Sequence, residues 1–199
     1  MSTYWSTYVQ YPEELYRSRA LRFRDDNKDL WLNAIGAADG MDVLEVGCGA
    51  GIFCHRIKRY LPGTNITGLD LDSNNIAYAK GKSAELQLDC TFVSGDANAL
   101  PFDDGQFDLC FSHTVMSFCD PGLFTREQFR VLRPGGRITV MCIQNGGSNA
   151  LFQPQDGGPE KDLYDRLWAC ADKKRVEPYQ KDRPVHPGLS ALAGAGGLC

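Results

Sequence analysis

The chain has 199 residues, 43% of them hydrophobic, and a formal net charge of −4, enough for one domain with a substantial core. The charge leaves no basic stripe for nucleic acid, no apolar run approaches the length of a membrane span, and the polar, aromatic N-terminus lacks the pattern of a secretory signal. Eight cysteines, none in a C-x-x-C pair, read as small core hydrophobes of a protein in a reducing cytoplasm, and no metal site is expected.

In chain order, Tyr4, Trp5, Tyr8 and Tyr11 make an unusually aromatic start. Such side chains offer apolar area with hydroxyl handles, which suits a lid over a ligand as well as an arm packed on the domain. Pro12 to about Ile35 reads as helical, with Leu15, Leu21, Leu30, Leu32 and Ile35 as apolar positions. Its middle, R-F-R-D-D-N-K-D, reads as a solvated face. Residues 1–40 are therefore expected to form an N-terminal helical arm or lid, and residues 41–199 the main domain. A first strand at about Asp42–Val46 precedes a helix from about Ala50 to Tyr60, stopped by Pro62-Gly63. A second strand lies near Asn65–Leu69, and Asp72 or Ser73 caps a helix running to about Leu86. Strands near Thr91–Ser94 and Phe107–Ser112 follow. Arg137–Ile143, β-branched and apolar, reads as a fifth strand covered on both faces. Short apolar strands alternating with helices predict an α/β fold, a doubly wound, mostly parallel sheet with helices on both faces.

The most informative segment is V-L-E-V-G-C-G-A-G, Val43 to Gly51. It is a short buried strand ending in an acid, then a turn with three glycines before a helix. Such a turn lies at the carboxyl ends of the strands, where small ligands bind, and glycine lets a ligand approach the backbone. A dinucleotide fingerprint needs G-x-G-x-x-G, whereas Gly47, Gly49 and Gly51 fall one residue short. Glu45 is a poor neighbour for a pyrophosphate and a better one for a cationic or hydroxyl-bearing ligand. A P-loop is excluded, because no Lys-Ser or Lys-Thr pair follows the glycines.

With that turn, the sequence resembles the class I S-adenosylmethionine-dependent methyltransferases, and the resemblance continues downstream. G-L-D-L-D at Gly68–Asp72 is similar to the family's second strand, with Asp70 as its ribose-binding acid. F-V-S-G-D-A at Phe92–Ala97 is similar to its third strand and the acidic turn beside the adenine. F-D-L-C-F-S-H at Phe107–His113 is similar to the fourth strand, and V-L-R-P-G-G-R-I-T-V at Val131–Val140 to the helix-turn-strand after it. Together these fragments cover roughly residues 40–143. The resemblance implies a Rossmann-like fold, S-adenosylmethionine as cofactor and S-adenosylhomocysteine as product. It implies a cofactor site made of Glu45, Gly47, Cys48, Gly49, Gly51, Asp70, Leu71, Asp96, Ala97 and Ser112. In that reading Asp70 accepts both ribose hydroxyls and Asp96 accepts from the exocyclic amine of adenine. Ala97 offers its N–H to a ring nitrogen, and Glu45 holds the methionine amino group, directly or through water. Helix capping is the simpler alternative for Asp70 and Asp96.

Methyl transfer needs a nucleophile held in line and water excluded, and a base only where the acceptor must lose a proton. His113, directly after the fourth strand, is the candidate base, with local packing as its alternative. His55 reads as structural, and His186 gives no signal. Met116 and Phe118, after His113, would line the acceptor side or simply lie in the core, and Tyr11 is a further candidate for the acceptor side. Arg17 and Arg19 would contact an acidic substrate or simply carry surface charge.

The carboxyl end departs from the family. Gln144–Glu160 is long for an ordinary connection and suits a substrate loop. Glu160 to about Lys174 reads as a helix, and the glycine-rich run after His186 as the approach to a sixth strand. Strands six and seven are thus expected to be short or missing. Strand five is then an exposed edge: either the fold is truncated or divergent here, which is the favoured reading, or the tail, a homodimer or another partner covers it. The resulting expectation is a methyltransferase for a small-molecule acceptor, with a non-catalytic S-adenosylmethionine-binding partner or regulatory subunit as the alternative.

Overall fold

The computed structural model describes Ser6 and residues 9–141. Helix α1 (Pro12–Arg22) and helix α2 (Lys28–Ile35) flank a 3-10 turn at Asp25–Asn27. Strand β1 (Asp42–Val46), helix α3 (Ile52–Tyr60), strand β2 (Asn65–Asp70), helix α4 (Ser73–Leu86) and strand β3 (Thr91–Ser94) follow. Strand β4 (Phe107–His113), a 3-10 turn at Met116–Phe118, helix α5 (Pro121–Val131) and strand β5 (Leu132–Met141) complete the described elements. The five strands form one sheet in the order β3-β2-β1-β4-β5, and every pairing is parallel.

Apolar residues cover both faces of the sheet, as the uninterrupted apolar runs of the central strands require. Val43, Leu109 and Phe111 pack on one side with Trp31 and Ile35 of α2, Phe53 and Ile57 of α3, and Ile76 and Ala79 of α4. Leu44, Val46 and Cys110 pack on the other with Phe124 and Val131 of α5. Successive strand residues thus point to opposite layers. The doubly wound parallel sheet with helices on both faces is the architecture the sequence implied.

Two boundaries differ from expectation. The stretch from Pro12 to Ile35 is two helices, and Phe23, within the segment expected to be solvated, packs its ring on Phe53 at 4.5 Å. Strand β5 starts at Leu132 rather than Arg137, entering the sheet opposite Phe107 and shifting register before Leu109. That early part carries Arg133, which pairs with Asp42 at 2.6 Å and Asp108 at 2.8 Å. The expected aromatic positions Tyr4, Trp5 and Tyr8, the loop at Gln144–Glu160, the helix after it and the final strands lie outside the described residues.

Strand order reverses between β1 and β4, so the chain leaves these neighbouring strands toward opposite sides. In open α/β sheets the crevice beyond the carboxyl ends of such a pair is the general ligand site. The crevice is bounded by the glycine turn at 47–51 and by Ser112 to Val115.

Candidate functional site

The glycine turn is held by the neighbouring strand. The N–H groups of Gly47 and Cys48 both donate to the Leu69 carbonyl, at 2.7 and 2.9 Å. Gly47 and Gly49 have φ of +74° and +53°, the left-handed region that side chains avoid. A Cβ on Gly47 would also stand 2.3 Å from the Val115 side chain, and one on Gly49 would stand 3.0 Å from Leu15. Val115, after β4, and Leu15, from α1, therefore line the turn.

Asp70 ends β2 and reaches back to this turn. Its Oδ2 accepts from the Gly49 N–H at 2.8 Å, and its Oδ1 from the Asp72 N–H at 2.9 Å. Asn75 donates to Oδ1 at 3.4 Å. Burial pushes the carboxyl upward, against those hydrogen bonds. One carboxylate thus ties β1 to β2 and α4. Asp72 takes the capping role the sequence left open between Asp72 and Ser73, accepting from Asn74 N–H at 2.9 Å. Leu71, between the two acids, is 53% exposed, an uncovered apolar surface beside Asp70.

Glu45 is enclosed among the apolar residues of β1 and is 2% exposed. The Cys54 thiol donates to its Oε2 at 3.0 Å. Burial pushes the Glu45 carboxyl up to about 8, with the Asp70 charge acting in the same direction and Cys54 opposing. Cys48 is buried beside both acids, and burial with their charges holds its thiol protonated.

Asp96 lies in the exposed turn after β3, where its Oδ1 accepts from the Asn98 N–H at 2.8 Å, while Ala97 is buried beneath it. Ser112 is fully buried, and its hydroxyl has no hydrogen-bond partner. His113 packs edge-on to Phe23 at 5.0 Å and against Phe53 at 5.5 Å. Burial, then the charges of Arg19 and Arg22, lower its pKa to about 4, so its ring is neutral at pH 7. Thr114 follows with φ +59°, a conformation costing a β-branched residue ~1–3 kcal/mol. Its hydroxyl bonds the His113 carbonyl at 2.7 Å. Met116 packs against the α5 side of the core, whereas Tyr11 is 64% exposed and Phe118 is exposed. His55 is buried in the helical layer, with Nε2 2.9 Å from Ser83 Oγ.

This set of polar groups offers acceptors to hydroxyls or to a cationic group and no cation to a phosphate. Asp70 offers acceptors, Glu45 a carboxylate and Ser112 an unpartnered hydroxyl. Neither Glu45, Asp70 nor Asp96 is ion-paired among the described residues. Three contributors escaped sequence reasoning. Cys54 and Val115 carry no local pattern linking them to the turn. Asn75, three residues after the Asp72 cap, stands where helix-start side chains reach back.

Residues 44–140 match the family model of a methyltransferase domain. That stretch, just under half of the chain, is similar to methyltransferase domains. Over 121 residues the chain is 37% identical to a malonyl-[acyl-carrier protein] O-methyltransferase of Erwinia billingiae, covering 59% of this chain and 46% of that protein. Another 116-residue match is 43% identical to a phthiotriol/phenolphthiotriol dimycocerosates methyltransferase of Mycobacterium tuberculosis, covering 57% and 42%. The chain thus spans under half the length of either relative. Among solved structures, a SAM-dependent methyltransferase from Aquifex aeolicus superposes with a TM-score of 0.60 at 21% identity, over 81% of this chain and 85% of that one. At that identity the likeness speaks for the fold alone. No helix of the described residues is long and apolar enough to cross a membrane.

Proposed function

We propose that this chain binds S-adenosylmethionine in the β1/β4 crevice and transfers its methyl group to a small-molecule acceptor, leaving S-adenosylhomocysteine. The observation that carries the reading is Asp70, a carboxylate fixed by the Gly49 N–H at the glycine turn. Its Oδ2 keeps acceptor capacity for a ribose hydroxyl beyond that one bond. Bound there, the cofactor supplies a methyl group already activated on a sulfonium.

The protein's part is then placement and exclusion of water. Glu45 would meet the cationic methionine end, whose charge favours the ionised carboxyl. Leu71 would lie on the adenosine, with Asp96 and Ala97 at the adenine edge. Leu15 and Val115 would shield the turn from solvent, consistent with residues 1–40 acting as a lid. His113, Met116 and Tyr11 are proposed for the acceptor side. A ring neutral at pH 7 is free to take a proton, although a pKa of about 4 makes it a weak base.

The relatives' names give acceptors as different as malonyl-[acyl-carrier protein] and phthiotriol dimycocerosates, so the acceptor is set outside the shared turn. Five free cysteines among the described residues support a reducing compartment such as the cytoplasm. Strand β5 pairs on one side only among those residues, an edge that a second copy or another partner would cover.

Calorimetry with S-adenosylmethionine, S-adenosylhomocysteine and NAD tests the cofactor, and binding of NAD alone would sink the reading. Asp70→Asn should weaken S-adenosylhomocysteine binding by about 10-fold or more, the loss of one charge-assisted hydrogen bond. Unchanged affinity would put the site elsewhere. Binding without transfer to any acceptor in a metabolite extract would favour the non-catalytic alternative.

A further inference from the structure

Leu15, Arg19 and Phe23 stand four residues apart, the spacing that places side chains on one face of a helix. The Phe23 N–H still bonds the Arg19 carbonyl at 2.9 Å, so the helical geometry reaches that far. The two outer members point inward. Leu15 is buried against Gly49, and Phe23 lies edge-on to His113. Arg19 therefore shares the face that spans from the glycine turn to the end of β4. It is half-buried, and its charge acts on His113.

Arg19 has no carboxylate or other side-chain hydrogen-bond partner among the described residues. Three arginines near it in sequence or space are paired. Arg17 pairs with Glu13 at 2.8 Å, Arg24 with Asp26 at 2.5 Å and Arg56 with Asp25 at 2.8 Å. Arg19 and Arg22, one turn apart on α1, both lack a carboxylate partner among the described residues, and of the two Arg19 is half-buried while Arg22 is exposed. Withdrawing a guanidinium from water without a partner is unfavourable. Its planar fork of donors matches a carboxylate in bidentate fashion.

We propose that Arg19 is a ligand-binding residue that holds a carboxylate between the glycine turn and the end of β4. This rests on the reading of the crevice as an S-adenosylmethionine site and deepens it. The carboxylate has two sources, the methionine end of the donor or the acceptor itself. An acceptor carboxylate needs no base, because it is already ionised at neutral pH. Its oxygen forms the bond to the methyl carbon, the carbon–sulfur bond breaks with its electron pair passing to sulfur, and a methyl ester and neutral thioether result.

The test compares wild type, Arg19→Gln and Arg19→Lys by calorimetry in three arms. These are S-adenosylhomocysteine, 5′-methylthioadenosine, which lacks the amino-acid carboxylate, and sodium malonate added to protein saturated with S-adenosylhomocysteine. Arg19→Gln should lose about 10-fold or more in affinity in the first or the third arm, the scale of one charge-assisted contact. Arg19→Lys should recover part of it, and methylthioadenosine should bind all three proteins alike. Loss in the first arm assigns the donor carboxylate, and loss in the third assigns the acceptor. Equal affinity of wild type and Arg19→Gln in both arms overturns the proposal. So does a loss that extends to methylthioadenosine, which would report a collapsed site. If wild type binds neither adenosyl compound, the cofactor reading fails instead, and malonate titrated alone decides the role of Arg19 by the same comparison.

Discussion

Replacing Glu45 by glutamine separates stability from binding. Glu45 is buried within an apolar strand and receives one hydrogen bond, from the Cys54 thiol. The other ionisable groups acting with it are Asp70 at the end of β2, Cys48 in the turn and Cys90 before β3. Burial above all lifts its carboxyl from 4.5 to about 8. The unfolded chain ionises this group at the ordinary value, so as pH rises the unfolded state sheds its proton first. The stability contributed by the neutral carboxyl is thus complete below about pH 4.5 and declines up to about pH 8. At 1.36 kcal/mol per unit, the loss between pH 5 and pH 8 comes to ~3 kcal/mol. Glu45→Gln keeps the shape and an acceptor for Cys54 and cannot ionise. Its stability relative to wild type should therefore rise by ~3 kcal/mol over that range, roughly 6–12 °C in Tm for a chain of this size. Its affinity for S-adenosylhomocysteine should fall, because the carboxylate that meets the cationic end is gone. Urea unfolding of the ligand-free proteins at pH 5, 6.5 and 8 measures the difference. A gap between variant and wild type that does not change with pH would refute the reasoning.

His113, neutral down to about pH 4, should contribute no inflection of its own to the transfer rate between pH 6 and 8, so wild type and His113→Phe should share one pH profile. His113→Phe, which keeps the ring contact with Phe23, should cost less than about 10-fold in kcat, whereas a proton-transferring base would cost ~100-fold or more. Gly47→Ala must place a Cβ at φ +74° and 2.3 Å from Val115, so thermal unfolding should show a loss of about 1–3 kcal/mol. An unchanged Tm would mean that Val115 yields without cost.

Much of the sheet was legible in the sequence because its central strands are short apolar runs between strong punctuation. The Asp72 cap was equally plain, since a cap is a local hydrogen bond between neighbours. What failed to show were contacts made across layers. Phe23 sits in a run of charges, and only its meeting with Phe53 and His113 marks it as core. The start of β5 hides behind Pro134, Gly135 and Gly136, residues that ordinarily end strands. Cys54 reaches Glu45 from a different element. Arg17 and Arg19 are alike in sequence, and the helix face they occupy is what gives one a surface glutamate and the other the site.

Helix α1 carries only one buried residue, Leu15, while Leu21 on its other side is 76% exposed. Besides Leu15, the partly buried Tyr16, Ala20 and Phe23 hold this ~12 Å face to the core. Peripheral helices open locally at a free energy below that of global unfolding. With this helix over the site as proposed, the dwell time of a bound ligand would be tied to how often it lifts. A ligand that bridges Arg19 and the glycine turn would fasten the helix from below, slowing amide exchange along residues 12–22 while the β-sheet beneath keeps its own pace.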